Sequence, residues 1–265
     1  MPLRISTEKF RHRVEGIRRR LGPPFADIND YDEKVYSQNG EDGILRRIFS
    51  TIGTQGTYAV EFGVGDGQEC NTAHLVRDRG WSGLMIDGDP ECYRRLKSSY
   101  AAFPDVKVDQ RFITAENIGQ VFKENGVPAR FDLLSIDIDG NDYWVWRALT
   151  GYRPRVVTIE YNAAHPPPEL WVMEYNPDHR WDLTWYFGAS LTSLWLLGRS
   201  LGYALVGTDR HGVNAFFVAR EELSGRLPGL GFNEVTPEHA YHAPGFFNQW
   251  GTLGHPPGTG PFCRI

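Results

Sequence analysis

Oxygen-bearing side chains gather at two places where apolar runs end. The run 131–136 opens into Asp137-Ile138-Asp139-Gly140-Asn141-Asp142, and the run 156–161 carries Glu160 and is followed by Asn162. If the two runs are neighbouring parallel strands, Asp137, Asp139, Glu160 and Asn162 meet at their ends. An all-oxygen set of this kind suits a hard cation such as Mg²⁺. Such a cation holds an acceptor hydroxyl and lowers its pKa. The same acids can instead bind a substrate or an ammonium group directly, with Asp137 and Asp139 as candidate catalytic carboxylates, one of them a general base. In a third reading they cap a helix over 142–150, with Asp142 at the N-cap. The first two readings stand level, and the third leaves most of the set unused. An EF-hand loop is excluded, because the twelfth position from Asp137 is Ala148 rather than Glu. A nucleotide-sugar site built on Asp137-Ile138-Asp139 would need nothing from the glycine-rich stretch upstream.

That stretch is Ala59-Val60-Glu61-Phe62-Gly63-Val64-Gly65-Asp66-Gly67-Gln68-Glu69. An apolar strand with an acid in it runs into three alternating glycines. Glycine lets the backbone turn sharply and approach a ligand closely. A helix beginning near Asn71 or Thr72 offers free N–H groups there, which makes Thr72 a candidate cofactor contact. Glu61 can pair with a ligand ammonium. The next strand ends Leu84-Met85-Ile86-Asp87, and an acid in that place holds a ribose diol in nucleotide-binding sheets. The dinucleotide fingerprint G-x-G-x-x-G is not met, since Gln68 stands at its third glycine. Asp66 and Glu69 would also repel a pyrophosphate. A sulfonium on a zwitterionic amino acid tolerates them.

Residues Val60 to Gly67 resemble motif I of class I S-adenosylmethionine-dependent methyltransferases. Ser37-Gln38-Asn39-Gly40-Glu41-Asp42 and Ile86-Asp87-Gly88-Asp89-Pro90 are similar to the FkbM-like branch, over roughly residues 35–220. The resemblance implies S-adenosylmethionine as cofactor. It places Glu61, Gly63 and Gly65 on the methionine portion, Asp87 on the ribose and Gln38 over the cofactor. Asp137, beside the methyl donor, joins the cofactor contacts. The acceptor class it implies is a hydroxyl of a small molecule, a sugar or a natural product. Catechol-type O-methyltransferases also use acids at these two strand ends. The branch pattern D-x-E-G departs here, with Asp139 in place of the glutamate, so Mg²⁺ stays an open assignment. The alternatives are metal-free methylation of nitrogen or a carboxylate, a non-catalytic protein of the same fold, and an RNA methyltransferase.

These groups need a particular scaffold. Strand-like runs fall at 57–62, 83–86, 106–112, 131–136, 156–161, 203–207 and 213–219, with helix-like runs at 71–79, 90–101, 116–125, 142–150 and 188–201. The alternation predicts a Rossmann-like, doubly wound, mostly parallel seven-stranded α/β sheet with helices on both faces. The last two strands are joined only by Asp209-Arg210-His211-Gly212, so the sheet should end in an antiparallel hairpin. Leu3, Phe10, Val14, Ile17 and Leu21 recur at helical spacing, which makes 1–35 an N-terminal helical arm beside a methyltransferase domain over 36–220. Residues 221–265, rich in Gly, Pro, His and aromatics towards their end, read as an irregular extension packed on that domain. The long loop 162–186 should lie over the site. It carries His165, a weak candidate base.

The net charge of -5 argues against a general nucleic-acid binder. The apolar run 185–206 is broken by Gly188, Arg199, Ser200 and Gly202, so no membrane span is expected. Cys70, Cys92 and Cys263 are far apart and suggest a reducing, cytoplasmic setting. A homo-oligomer, with the arm or the tail reaching a second subunit, is compatible with this pattern.

Overall fold

The computed structural model describes residues 28–223 and 233–265. The helix expected over Leu3–Leu21 lies outside them. The elements are α1 (Glu41–Ile52), β1 (Tyr58–Phe62), α2 (Ala73–Arg77), β2 (Ser82–Asp87), α3 (Pro90–Ser99), β3 (Val106–Gln110), α4 (Ile118–Asn125), β4 (Arg130–Ile136), α5 (Asp142–Ala148) and β5 (Arg153–Glu160). There follow β6 (Val172–Met173), α6 (Leu191–Ser200), β7 (Tyr203–Thr208), β8 (Asn214–Ala219), α7 (Arg220–Leu223), α8 (Pro237–Ala240) and β9 (Phe262–Cys263).

Seven strands form one sheet in the order β3-β2-β1-β4-β5-β8-β7. The first five are parallel, and β8 runs antiparallel to both β5 and β7. Successive side chains of a strand point to opposite faces, and both faces here are apolar. Val60, Phe62, Leu134, Ile136, Val157 and Ile159 pack with α4, α5 and α6. Ala59, Met85, Leu133, Val156, Phe216 and Val218 pack with α1, α2 and α3. The sheet is therefore the doubly wound, seven-stranded one expected, closed by the hairpin.

Helix α1 is an addition to the expected elements. Its signal is Ile44, Leu45, Ile48, Phe49 and Ile52, all buried on one face, behind Glu41 and Asp42 in the first turn. Asp89 caps α3 through the N–H groups of Glu91 and Cys92, with Pro90 at the first helical position. A second, two-stranded sheet pairs β6 with β9, so the tail is pinned by backbone hydrogen bonds at its far end. No described helix is long and apolar enough to cross a membrane.

The chain moves outward from β1 to β3 and then returns to place β4 on the other side of β1. Ligands in open α/β sheets bind at the carboxyl ends of strands beside such a reversal. At the opposite end of the strands the charges are paired. The Arg155 guanidinium, 1% exposed, donates to Asp132 at 2.6 Å and Glu222 at 2.7 Å, and also to the carbonyls of Ile52 and Gly53. Asp132 in turn accepts from the N–H groups of Gln55 and Thr57.

Replacing Arg155 by Met would leave buried Asp132 without its guanidinium and Glu222 with Arg130 alone, and the loss expected is about 3–5 kcal/mol. Denaturant unfolding measures it, and a loss under 1 kcal/mol would show that the network contributes little.

Candidate active site

Gly63 follows β1 with φ at +81°, and a Cβ on it would lie 1.5 Å from the carbonyl oxygen of Asp137. Only glycine fits where the chains leaving β1 and β4 touch. Gly65, at φ +57°, has the opposite surroundings: a Cβ there would meet nothing within 4 Å. Its open face is where a ligand can approach the backbone. Its N–H donates to Asp87 Oδ2 at 2.7 Å, and the N–H of Asp89 donates to Asp87 Oδ1 at 2.8 Å. Asp87 is thus fixed at the end of β2, beside the glycine turn.

The turn after β4 is held by Asp142, the first residue of α5. Its carboxylate accepts the N–H groups of Ile138 and Gly140, both at 2.9 Å. Asp142 therefore closes the loop in front of its helix rather than standing before the helix as an N-cap. Inside that loop Asp139 has φ +52°. This left-handed conformation is uncommon outside glycine but is tolerated by Asp, and such residues concentrate at functional sites.

Asp137, Asp139 and Glu160 each place a carboxylate oxygen within 4.8 Å of the others. Glu160 Oε2 is buried without a hydrogen-bond partner among the described residues. Burial, and then the neighbouring acids, push Asp137 and Glu160 well above the usual carboxylate range. Asp139 is pushed up to about 7, by burial first and then by Asp142 and Asp87. Buried Asp209, on the hairpin turn, is likewise pushed up to about 7 by burial and then by Glu41. The site gathers acids with no Lys or Arg in the cavity lining among the described residues, the reverse of the opposite end of the sheet.

A cavity of about 440 Å³ opens above these groups, within the usual range of small-molecule sites. Gln38, Gly63, Gly65, Asp137, Asp139 and Glu160 line it. Five other expected residues do not. Glu61 is 3% exposed and accepts from the N–H groups of Asn71 and Thr72 and from the hydroxyls of Thr72 and Ser135. Its carboxylate ties the start of α2 to β1 and β4, and Thr72 is committed to it. Asn162 is fully buried, with its amide donating to the carbonyls of Trp185 and Phe187 and its oxygen accepting from Ala164. It anchors the long loop and does not line the cavity. His165 bonds Glu169 and stacks on Trp171 at 4.2 Å, so the structure does not bring it to the cavity. Asp87 lies behind the lining, held by Gly65.

The opposite wall is part expected, from the loop 162–186, and part new, from tail residues that the sequence did not single out. It comes from Trp181 and Leu183 of the long loop and from Phe246, Phe247, Trp250 and His255 of the tail. The aromatic density of both segments was visible, but no spacing rule connects residue 181 with residue 255.

A glycine turn beside the sheet's reversal, an acid fixed at the end of β2 and a small-molecule cavity over β1 and β4 together fit an S-adenosylmethionine-dependent methyltransferase. The methyltransferase FkbM domain matches residues 57–203, more than half of the chain, and the chain belongs to that family. Among curated proteins none matches. Solved structures with a similar chain path include the N-terminal domain of EvdMO1, crystallised in the presence of SAH and D-fucose, at 15% identity over 79% of this chain and 96% of that one, TM-score 0.44. The CurJ carbon methyltransferase matches at 6% identity over 69% and 56% of the two chains, TM-score 0.44. TrmK of M. capricolum, in complex with SAH, matches at 11% identity over 66% and 65%, TM-score 0.38.

The raised acids set a pH dependence. Asp139 and Asp209 titrate near 7 in the folded chain, against an ordinary 3.8. Between those values the folded chain binds more protons than the unfolded one, so stability falls as pH rises from about 4 to about 7. Without divalent cations the melting temperature should drop between about pH 4 and pH 7. Asp139→Asn should flatten that slope, and a melting temperature that rises over this interval in the wild type contradicts the charge arrangement.

Proposed function

We propose that this methyltransferase acts on a hydroxyl of a small molecule, a sugar or natural product, with Mg²⁺ held by Asp137, Asp139 and Glu160. The observation that carries this reading is the meeting of three carboxylates, one with an orphaned buried oxygen, beside the cofactor half of the cavity. An all-oxygen, acid-rich donor set fits a hard cation. When bound, the cation would hold the acceptor's hydroxyl oxygen and lower its pKa near neutrality. S-adenosylmethionine supplies the methyl group.

The chain's own residues do the rest. Gly63 and Gly65 leave the backbone open to the methionine end of the cofactor, Gln38 lies on the cavity wall above, and Asp87 stands at the β2 end where a ribose diol is held. Asp142 fixes the loop that carries Asp137 and Asp139, so the acids are in place before any ligand arrives. Much of a methyl transfer can be achieved by such positioning.

Calorimetric titration with S-adenosylhomocysteine, with and without Mg²⁺, tests both parts. Micromolar S-adenosylhomocysteine binding is expected in both conditions, and Gly63→Ala should abolish it. Mn²⁺, read by electron paramagnetic resonance, should bind one site in the wild type and bind at least tenfold more weakly in Glu160→Gln. Intact cofactor binding with no metal site would leave metal-free methylation of nitrogen or a carboxylate as the reading.

A further inference from the structure

The imidazole of His255 sits in a box of rings. Trp181 and Trp185 meet it edge-on with centroids at 4.8 Å, Phe246 lies at 4.9 Å and Phe187 at 5.9 Å. Among the described residues no side chain or backbone group hydrogen-bonds to this imidazole. It lines the same cavity as Asp137, Asp139 and Glu160, and no other described histidine does. Desolvation by its surroundings holds the ring below its ordinary pKa, so near neutral pH one nitrogen is free to accept a hydrogen bond.

The rest of this wall is mostly aromatic and apolar, with Asn248 and Gln249 its polar members. Phe247 and Trp250 line the cavity while remaining 74% and 58% exposed, so they form its mouth. Asn248 stiffens the turn between them by accepting the N–H groups of Trp250 and Thr252 and donating to the Gly254 carbonyl. The charge of the lining has one sign. Glu69, Asp137, Asp139 and Glu160 are present, and no Lys or Arg lines the cavity among the described residues. Lys34, near the rim, is paired with Glu69 at 2.7 Å. Apart from the divalent cation, an anionic acceptor would find no cationic side chain on the cavity wall among the described residues. An ammonium would compete with the divalent cation for the same three carboxylates.

We propose that the acceptor is an uncharged hydroxylated ring that stacks against the aromatic wall of the tail, with a ring nitrogen of His255 receiving one of its hydroxyl hydrogens. This names the substrate class of the site described above and rests on that reading. It ranks sugar phosphates, uronates and nucleotide-linked acceptors below neutral ones, since no Lys or Arg lines the cavity among the described residues.

The test uses the full chain with S-adenosylhomocysteine and Mg²⁺ and three probes matched in size: phenyl β-D-glucopyranoside, phenyl β-D-glucuronide and phenyl 2-amino-2-deoxy-β-D-glucopyranoside. Calorimetry and saturation-transfer NMR give their affinities. The neutral glucoside should bind at least about tenfold more tightly than the glucuronide and more tightly than the amino sugar. His255→Phe keeps the box of rings and removes the nitrogens. It should weaken the glucoside roughly three- to tenfold, the worth of one hydrogen bond, with S-adenosylhomocysteine affinity unchanged. Trp250→Ala, at an exposed position, should also weaken the glucoside and leave the melting temperature within a few degrees. A glucuronide or amino sugar that binds as well as the glucoside, no binding of any probe, or an unaffected His255→Phe variant overturns the assignment. Loss of S-adenosylhomocysteine binding in the wild type would instead remove the methyltransferase site on which the assignment stands.

Discussion

The cavity depends on one close contact, between the backbone of Gly63 and the carbonyl of Asp137. The chains leaving β1 and β4 can touch there because residue 63 has no side chain. Without that approach the glycine turn and the acid-bearing loop would splay apart, and Asp137 would not join Gly63 and Gly65 in lining one cavity. Everything else at this end of the sheet is arranged around it. Asp142 curls the loop from β4 back on itself, Glu61 ties α2 to the two strands, and Asp87 fixes Gly65 from the far side.

The two ends of the sheet treat charge in opposite ways. At the amino ends Arg155 and Arg130 neutralise Asp132 and Glu222, and the backbone N–H groups of residues 55 and 57 complete the network. At the carboxyl ends Asp137, Asp139 and Glu160 crowd together with raised pKa values. A charge left uncompensated in a cavity is costly unless something binds there. The polarity thus separates the end that holds the fold together from the end that is completed by ligands.

Much of this arrangement was legible before any coordinates. Strand–helix alternation placed all seven strands of the main sheet, and the hairpin followed from a turn too short for a crossover. The acids closing β4 and β5 converge because parallel neighbours in register must bring their ends together, here Ile136 opposite Ile159. Side-chain bonding was harder to read. Glu61 has the right type and position for an ammonium contact, yet four local donors already occupy it, and the donors come from α2 and β4. Asn162 looks like an oxygen ligand in the linear sequence, but its amide is used by the loop that follows. His255 carried no local signal, since Trp181, Trp185 and Phe187 of its box lie more than sixty residues before it in the chain.

The aromatic wall comes from the tail beyond the family-matched segment and from one stretch of loop within it. The glycine turn and the acids lie on strands that cannot shift without disturbing both apolar layers. The tail is fastened differently. It is held by the hydrogen bonds of Tyr161 and Tyr241 at one end and the two-residue pairing of β6 with β9 at the other, and between them by loop contacts, Gly245 with His211 and Pro256 with Trp185. Substitutions between those two anchors leave the sheet untouched. Acceptor preference in such a chain can therefore diverge quickly between descendants while the cofactor half stays fixed, and grafting residues 243–260 from one relative to another becomes a natural unit of exchange.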